Sequence, residues 1–122
     1  MILKREPWNT DIRYGLHHAL LAGFQISVSV LTVMNMEYVL SRRKIMASSW
    51  YPDLISFADI LNISALMVDF AMKSQWADIE DALQYRCAKE NNAEIILSRD
   101  KSGFKNSSIP VLTPIQLRKL FE

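Results

Sequence analysis

The chain has 122 residues, half of them apolar, and its 14 basic residues nearly balance its 13 acidic ones. This balance excludes a general electrostatic attraction to nucleic acid or to anionic membranes, so a bound polyanion would need a local patch or a metal ion. The single cysteine excludes an internal disulfide framework, and no apolar run is long enough to span a bilayer. We therefore expect one cytoplasmic globular domain over residues 1–122, with no membrane partner.

The first third of the chain predicts a helix, a strand and a second helix. The first helix is expected to begin at a cap formed by Asn9 or Thr10 and to end near Gly23. Serine and apolar residues alternate in "ISVSV", which favours a strand. The second helix is expected from about Thr32 to the basic cluster "RRK", whose charge suits a helix C-terminus.

The middle of the chain predicts a break, a helix and a buried strand. The residue before Pro52 is disfavoured in a helix, so we expect a break near Tyr51. The spacing of apolar residues in "DLISFADIL" predicts one helix. The apolar segment "NISALMV" predicts a short buried strand, and Asp69 is expected to cap a short helix after it.

The last third predicts two further strands and two further helices. A helix is expected from the acidic start of "DIEDALQYRCA", followed by the apolar strand "AEIILS", a loop and the short strand "IPVL". Thr113 as N-cap, Pro114 at the first position and Gln116 at the third predict the start of the final helix. Strands separated by helices indicate an α/β domain with a mainly parallel sheet.

Acidic residues at the start of the "DIEDALQYRCA" helix allow two interpretations. Asp78 and Asp81 are three residues apart, so their carboxylates share one face of the helix. Close carboxylates repel unless a proton or cation neutralises them, and Mg²⁺ or Mn²⁺ prefers oxygen ligands. Alternatively, Asp78 caps the helix and Asp81 stabilises its first turn. These residues alone leave both interpretations open.

Asp100 follows the strand "AEIILS" and is the third acidic candidate. Ligands usually bind at the C-terminal edge of parallel strands, where this residue is expected, although an ordinary turn aspartate is the alternative. His17 and His18 would point about 100° apart on a helix and cannot both bind one ion. Cys87 falls on an apolar face and is expected to be structural.

The segment "ADIEDALQYRCAKENNAEIILSRDKSGFKNSSIPVLTPIQLRKL" resembles the C-terminal half of PIN domains of the VapC-like type. Upstream, "LKREPW" and "ISVSVLTVMNMEYVL" are similar to the middle of the same fold, and residues 45–69 match least well. The resemblance implies a three-layer α/β/α domain with a mainly parallel sheet. It also implies an endoribonuclease that uses Mg²⁺ or Mn²⁺, in this case the toxin of a toxin–antitoxin pair.

The resemblance carries over to individual residues. Asp78, Asp81 and Asp100 match acidic positions of the family and would be its catalytic metal ligands. Asn35, where many members have a glutamate, and Ser98, before the acidic loop, would contact the substrate. RNA would be the substrate, an antitoxin protein the partner, and a homodimer is a further expectation.

Two departures from the family are expected to weaken the site. Members begin with a central strand that ends in an aspartate, before a segment like "LKREPW"; this chain starts inside that segment, so the strand and its aspartate are expected to be missing. Gly103 replaces another aspartate. Either Met1 is an internal methionine of a longer protein, or the gene has lost the strand. The expected consequences are a gap, a rearranged sheet or a strand donated by a partner, for example in a dimer.

Three functions therefore remain open. The first is a metal-dependent endoribonuclease with an incomplete acidic site and weak or no activity. The second is a catalytically degenerate PIN-fold module that binds a protein partner or RNA. The third is an unrelated α/β protein whose acidic residues only cap helices.

Overall fold

The computed structural model of the protein describes residues 8–122. This part of the chain contains both helices and short strands. The helices are α1 (Trp8–Leu21), α2 (Val30–Arg42), α3 (Tyr51–Phe57), α4 (Ala65–Met72), α5 (Ile79–Glu90) and α6 (Pro114–Leu120). The strands are β1 (Ile26–Ser29), β2 (Ala58–Leu61), β3 (Ile96–Leu97) and β4 (Val111–Leu112). None of the described helices has the length and apolarity that a membrane span requires.

The strands form two separate parallel pairs. Strand β1 pairs with β2, so that Ile26 lies opposite Ala58, and strand β3 pairs with β4, so that Ile96 lies opposite Val111. Strands β1 and β2 are connected through α2 and α3, whereas β3 and β4 are connected by a loop with a short 3-10 helix, Ser102–Phe104. Parallel strands packed among helices are typical of an α/β domain. The α/β class with parallel strands is confirmed, although the strands make two pairs instead of one continuous sheet.

Each strand pair has its own apolar core. Beside β1 and β2, a buried cluster consists of Leu40, Trp50, Leu54 and Ala58. Beside β3 and β4, the buried cluster consists of Tyr85, Phe104 and Ile109, and Trp76 stacks on Tyr85 with ring centroids 4.8 Å apart. Among the described residues, each strand pair therefore has a small buried cluster of its own.

Helices α1 and α6 pack closely against each other. Buried Gly15 on α1 allows this approach, because a Cβ there would lie 2.7 Å from both Cγ and Cδ2 of Leu117. Arg118 donates a hydrogen bond of 3.1 Å from Nη1 to Oδ1 of the nearly buried Asp11, and this bond raises the pKa of the guanidinium. A close apolar contact and an ion pair thus join the two ends of the chain.

The predicted helix over "DLISFADIL" is wrong in its second half. Helix α3 ends at Phe57, and Ala58 has the extended backbone of a strand, with φ −128° and ψ 143°. The following residues pair with β1. Pairing with a strand about 30 residues away in sequence overrides the local helical spacing.

The predicted strand over "NISALMV" is also wrong, since most of this segment begins α4. The Ser64 hydroxyl accepts a hydrogen bond of 3.2 Å from the backbone N–H of Met67 and so caps the helix. Asp69 lies inside this helix, where it pairs with Lys73, and does not cap it. A short apolar run does not distinguish a strand from a helix by periodicity, and here the serine cap decides.

Predictions at the two ends of the described chain have mixed outcomes. Helix α1 begins at Trp8, so Asn9 and Thr10 lie in its first turn and the predicted cap position is wrong. Gly23 follows that helix with φ +90°, as the predicted left-handed stop requires. The capping box at Thr113 is confirmed: its hydroxyl accepts from the backbone of Gln116, whose side chain accepts from the backbone of Thr113. Of the segment "LKREPW", which resembles PIN domains, only the final residue, Trp8, is among the described residues.

Replacing Gly15 by alanine should destabilise the domain by about 1–3 kcal/mol, because the new methyl group overlaps Leu117. Denaturant unfolding of the variant measures this loss. In a Leu117→Ala background the overlap is removed, so the cost of Gly15→Ala should largely disappear. An equal cost in both backgrounds would show that the close approach of α1 and α6 is not its cause.

Candidate functional site

A cavity of about 660 Å³ lies between the two strand pairs. Its lining includes five consecutive residues around β1, Gln25 to Ser29, and five around β3, Ile95 to Arg99. Successive side chains of a strand point to opposite faces, so a cavity that contacts all of them runs along the strand's edge. The cavity therefore separates the edges of β1 and β3 that face away from β2 and β4.

Helices close the cavity on its faces. From α1, from α6 and from the residue that follows α6, apolar side chains line it: Ile12, Leu16, Ala19, Leu117 and Phe121. From α2 and α5, the lining is mixed: Asn35, Met36, Glu80, Asp81 and Gln84. The polar side chains belong to the first halves of α2 and α5. Helix α2 directly follows β1, and Gln84 of α5 is bonded to Ser29 at the C-terminal end of β1, so this mouth of the cavity is polar and acidic.

Asp78 holds the start of α5. As the N-cap residue it accepts a hydrogen bond of 3.0 Å at Oδ1 from the backbone N–H of Asp81. This bond satisfies one of the free donors at a helix start. The capping interpretation of Asp78 is therefore observed directly in the structure.

The carboxylate of Asp81 is the least compensated group of the site. Partial burial raises the pKa of Asp81, and repulsion from Asp78, Glu80 and Asp100 raises it further. Asp81 lines the cavity together with Glu80. Because three other carboxylates lie close enough to repel that of Asp81, this mouth of the cavity favours positive charge.

Gly103 leaves the space that the Asp81 carboxylate occupies. A Cβ at position 103 would overlap Oδ2 of Asp81 and would lie 3.0 Å from its Cγ. The aspartate that the family resemblance places at this position cannot coexist with the present orientation of Asp81. This orientation of the Asp81 side chain therefore requires glycine at position 103.

Polar side chains connect α5 to α2 across the cavity. Asn35 donates a hydrogen bond of 2.6 Å from Nδ2 to Oε1 of Glu80. One turn further along α5, Gln84 accepts from Ser29 Oγ at 2.8 Å and donates to Thr32 Oγ1 at 2.9 Å. Sequence reasoning missed both links, although Glu80 and Gln84 are four residues apart and so share a helix face.

Asp100 lies near the other acids, but its carboxylate is bound to its own loop. Oδ1 accepts hydrogen bonds from Ser102, at 2.9 Å from the backbone N–H and 2.6 Å from the hydroxyl. The Ser102 hydroxyl bond, followed by the backbone bond, lowers the pKa of Asp100. Ser98 Oγ donates to the Asp100 carbonyl oxygen at 2.9 Å. Both residues therefore stabilise a turn at the C-terminal end of β3.

The acidic residues do not fit a metal ion in this arrangement. Their carboxylate oxygens are ligands that Mg²⁺ and Mn²⁺ prefer. However, within the part of the chain that the structure describes, no three His, Cys, Asp or Glu side chains are grouped closely enough to hold a metal. Asp78 and Asp100 instead bind N–H and O–H donors of the protein. The carboxylate oxygens are chemically suitable ligands for Mg²⁺ or Mn²⁺, but their present positions do not form a metal site.

Other polar candidates lie outside this group. His18 packs against Tyr14, with ring centroids 4.2 Å apart, and against Phe121. Cys87 is buried, and its burial raises the pKa of the thiol. Its Sγ donates a weak hydrogen bond of 3.7 Å to the carbonyl oxygen of Asn62. These contacts are the kind expected of side chains that pack the structure.

Comparison with protein families gives one clear result. The sequence profile of the PIN domain matches residues 1–102, which is most of the chain. The chain belongs to the PIN-domain family. No curated protein matches the chain. PIN membership means a nuclease-type fold, and such domains generally use divalent metal ions, so the acidic mouth of the cavity is the part of this PIN domain to consider for function.

Replacing Asp78 by alanine should lower the free energy of unfolding by about 1 kcal/mol, because the N–H of Asp81 loses its acceptor. Asp78→Asn keeps an acceptor oxygen at the cap and should retain most of this stability. Thermal or urea unfolding of both variants measures the difference. If alanine and asparagine were equally damaging, the charge of Asp78 and not its cap bond would be responsible.

Replacing Asp81 by asparagine should stabilise the PIN domain at neutral pH. Burial and repulsion raise the pKa of Asp81 in the folded chain, so ionisation of this carboxyl opposes folding as the pH rises through that raised value. Below the ordinary aspartate pKa of 3.8 the carboxyl is protonated in both states, and the advantage of the variant should vanish. Melting temperatures of the parent chain and of Asp81→Asn, measured from below pH 3.8 to neutral pH, test this expectation. A variant that is less stable than the parent chain at neutral pH would contradict it.

Proposed function

We propose that this PIN domain is an endoribonuclease of the VapC-like toxin type, with weak activity because its acidic site is incomplete. RNA is the proposed substrate and an antitoxin protein the proposed partner, as the resemblance to VapC-like sequences implies. A homodimer and a cytoplasmic location belong to the same proposal.

The observation that carries the proposal is the uncompensated carboxylate of Asp81. Its pKa is raised by burial and by three neighbouring acids, and it lies at the mouth of a large cavity. Shifted carboxyl pKa values in a cleft are typical of functional sites, because such repulsion is maintained at a cost in stability. A divalent cation or a proton would relieve it.

Asp78, Asp81 and Asp100 are the proposed ligands of Mg²⁺ or Mn²⁺. To bind a cation, Asp78 would have to leave or share its cap bond, and Asp100 would have to leave or share its bonds to Ser102. This competition predicts weak metal binding. Asn35 and Ser98, which line the same cavity, are the proposed contacts to RNA.

A specific observation favours a second function, a catalytically degenerate PIN module that binds RNA or a protein. Among the described residues, Asp78, Glu80 and Asp100 are bound to other partners, and the acids do not gather into a metal site. Asn35 also uses its amide to hold Glu80. In this alternative, RNA binds without being cut and divalent ions have no effect on stability.

Millimolar Mn²⁺ should raise the melting temperature of the protein if the nuclease proposal is correct. At a tenfold excess over its dissociation constant, a bound ion adds about 1.4 kcal/mol of stability. The same ion should support slow cleavage of single-stranded RNA. Both effects should be lost in Asp81→Asn, because the central carboxylate is removed.

Asp69→Asn is the matched control, since Asp69 is a surface residue on α4 that pairs only with Lys73 among the described residues. This variant should keep the stabilisation by Mn²⁺ and the cleavage of RNA. RNA cleavage that persists in Asp81→Asn would exclude the proposed site. RNA binding without cleavage or metal stabilisation would support the degenerate module.

A further inference from the structure

We propose that one exposed face of α2 is a binding strip for single-stranded RNA. The strip consists of Asn35, Tyr38 and Arg42 and leads from the acidic mouth of the cavity to the basic end of the helix. A base of the RNA stacks on Tyr38, and Arg42 binds the adjoining phosphate. This inference rests on the proposed function, in which RNA is the substrate, and it adds the path of that substrate along the protein surface.

Helical spacing places the three side chains of the strip in one row. Tyr38 follows Asn35 by three residues and Arg42 follows Tyr38 by four, so all three share one face of α2. Each of these residues is exposed, and 62% of Tyr38 is open to solvent. From Asn35 to Arg42 the helix rises by about 10 Å, which corresponds to about three nucleotides at the roughly 3.4 Å spacing of a stacked strand.

Asn35 connects the strip to the proposed cleavage site. Its Nδ2 donates the hydrogen bond to Oε1 of Glu80, and Asn35, Glu80 and Asp81 line the same cavity. An RNA strand that follows the strip to Asn35 therefore arrives at the start of α5, where the acidic residues lie. The opposite end of the strip extends away from these acids toward the basic residues at the end of α2.

Tyr38 and Arg42 form a stacked pair on the surface. Cζ of Arg42 lies 5.1 Å from the centroid of the Tyr38 ring, and Nη1 of Arg42 donates a hydrogen bond to the Tyr38 hydroxyl. The guanidinium is thereby held one turn back from the helix end, over the strip. An exposed aromatic ring stacks with any base, and a planar guanidinium binds phosphate through two parallel N–H groups.

The charge at the end of the strip favours a polyanion. Between Glu37 and Asp53 the sequence has no acidic residue and three basic ones: Arg42, Arg43 and Lys44. All three are exposed, and within residues 8–122 none of them forms an ion pair. Phosphates of a nucleic acid would neutralise this charge with release of counterions.

The aromatic ring distinguishes RNA from other polyanions. Basic residues at a helix C-terminus also offset the helix dipole, but that role requires no exposed tyrosine beside them. An acidic peptide would satisfy the charges of the strip without covering the ring of Tyr38. A single-stranded nucleic acid supplies both a phosphate and a base, so it matches the combination of Tyr38 and Arg42.

The test measures binding of fluorescently labelled octauridylate to the full chain by anisotropy, in EDTA, so that neither a metal ion nor cleavage contributes. Tyr38→Ala should bind the RNA about tenfold more weakly, because the stack with a base is lost. Tyr38→Phe keeps the ring and should bind like the parent chain. Arg42→Ala should weaken binding and should reduce the slope of log affinity against log salt concentration by about 0.7.

Two matched controls separate stacking from charge. An octamer of abasic ribose phosphates carries the phosphates without the bases, so it should bind the parent chain about tenfold more weakly than octauridylate and should not distinguish Tyr38→Ala from the parent. Lys119→Ala removes an exposed charge on α6 and should leave the affinity for octauridylate nearly unchanged. Melting temperatures check that each variant is folded, and the abasic octamer tests the strip without any variant.

Three results would overturn the proposal. The first is equal binding of octauridylate and the abasic octamer, which would indicate attraction by charge alone. The second is an equal loss of affinity in Arg42→Ala and Lys119→Ala, which would show that the position of the charge does not matter. The third is binding of poly-glutamate that is as tight as that of octauridylate and equally weakened in Tyr38→Ala, which would assign the strip to an acidic protein.

Failure of the strip and failure of the nuclease give different results. Binding in EDTA that depends on Tyr38, without any cleavage in Mn²⁺, would support the strip and exclude the nuclease. Cleavage in Mn²⁺ that is lost in Asp81→Asn but unchanged in Tyr38→Ala, with unchanged affinity of Tyr38→Ala for RNA, would support the nuclease and exclude the strip.

Discussion

The two strand pairs face each other through edges that have no strand partner among residues 8–122, and much of the structure follows from this constraint. Backbone N–H and C=O groups need hydrogen-bond partners, and an open strand edge provides them only to water or to another strand. Since the pairs do not meet, each has its own small core, one around Leu54 and one around Tyr85. The cavity between them is lined at one mouth by Glu80 and Asp81.

Contacts between helices hold the two halves around this cavity. Helices α1 and α6 pack closely where Gly15 meets Leu117. On the other side, Asn35 holds Glu80 and Gln84 joins the end of β1 to α5 through hydrogen bonds. Because each of these links involves a helix, the two strand pairs are held around the gap without a continuous sheet. The hydrogen bond between Gln84 and Ser29 places α5 beside the end of β1.

Repulsion among the acids is the electrostatic consequence of this placement. Asp78 and Asp100 relieve their own charge through hydrogen bonds, whereas Asp81 is partly buried beside three other acids. A protein that maintains such a group gives up stability in return for affinity for positive charge. A divalent cation or a proton would supply that charge.

The sequence by itself determined the α/β class, the relation to PIN domains and the helix caps at Asp78 and Thr113. Each of these depends on patterns of residues that are close together in the chain. The caps at Asp78 and Thr113 are examples, since a side chain and an N–H three residues away suffice for each. Only the tertiary structure decided that Ala58 begins a strand, since its pairing partner is in β1. It also decided that Glu80 is held by Asn35 and that the Asp100 carboxylate binds Ser102 instead of meeting the other acids. The physical reason is that such arrangements depend on which distant or competing partners lie within hydrogen-bond distance, and local spacing does not contain that information.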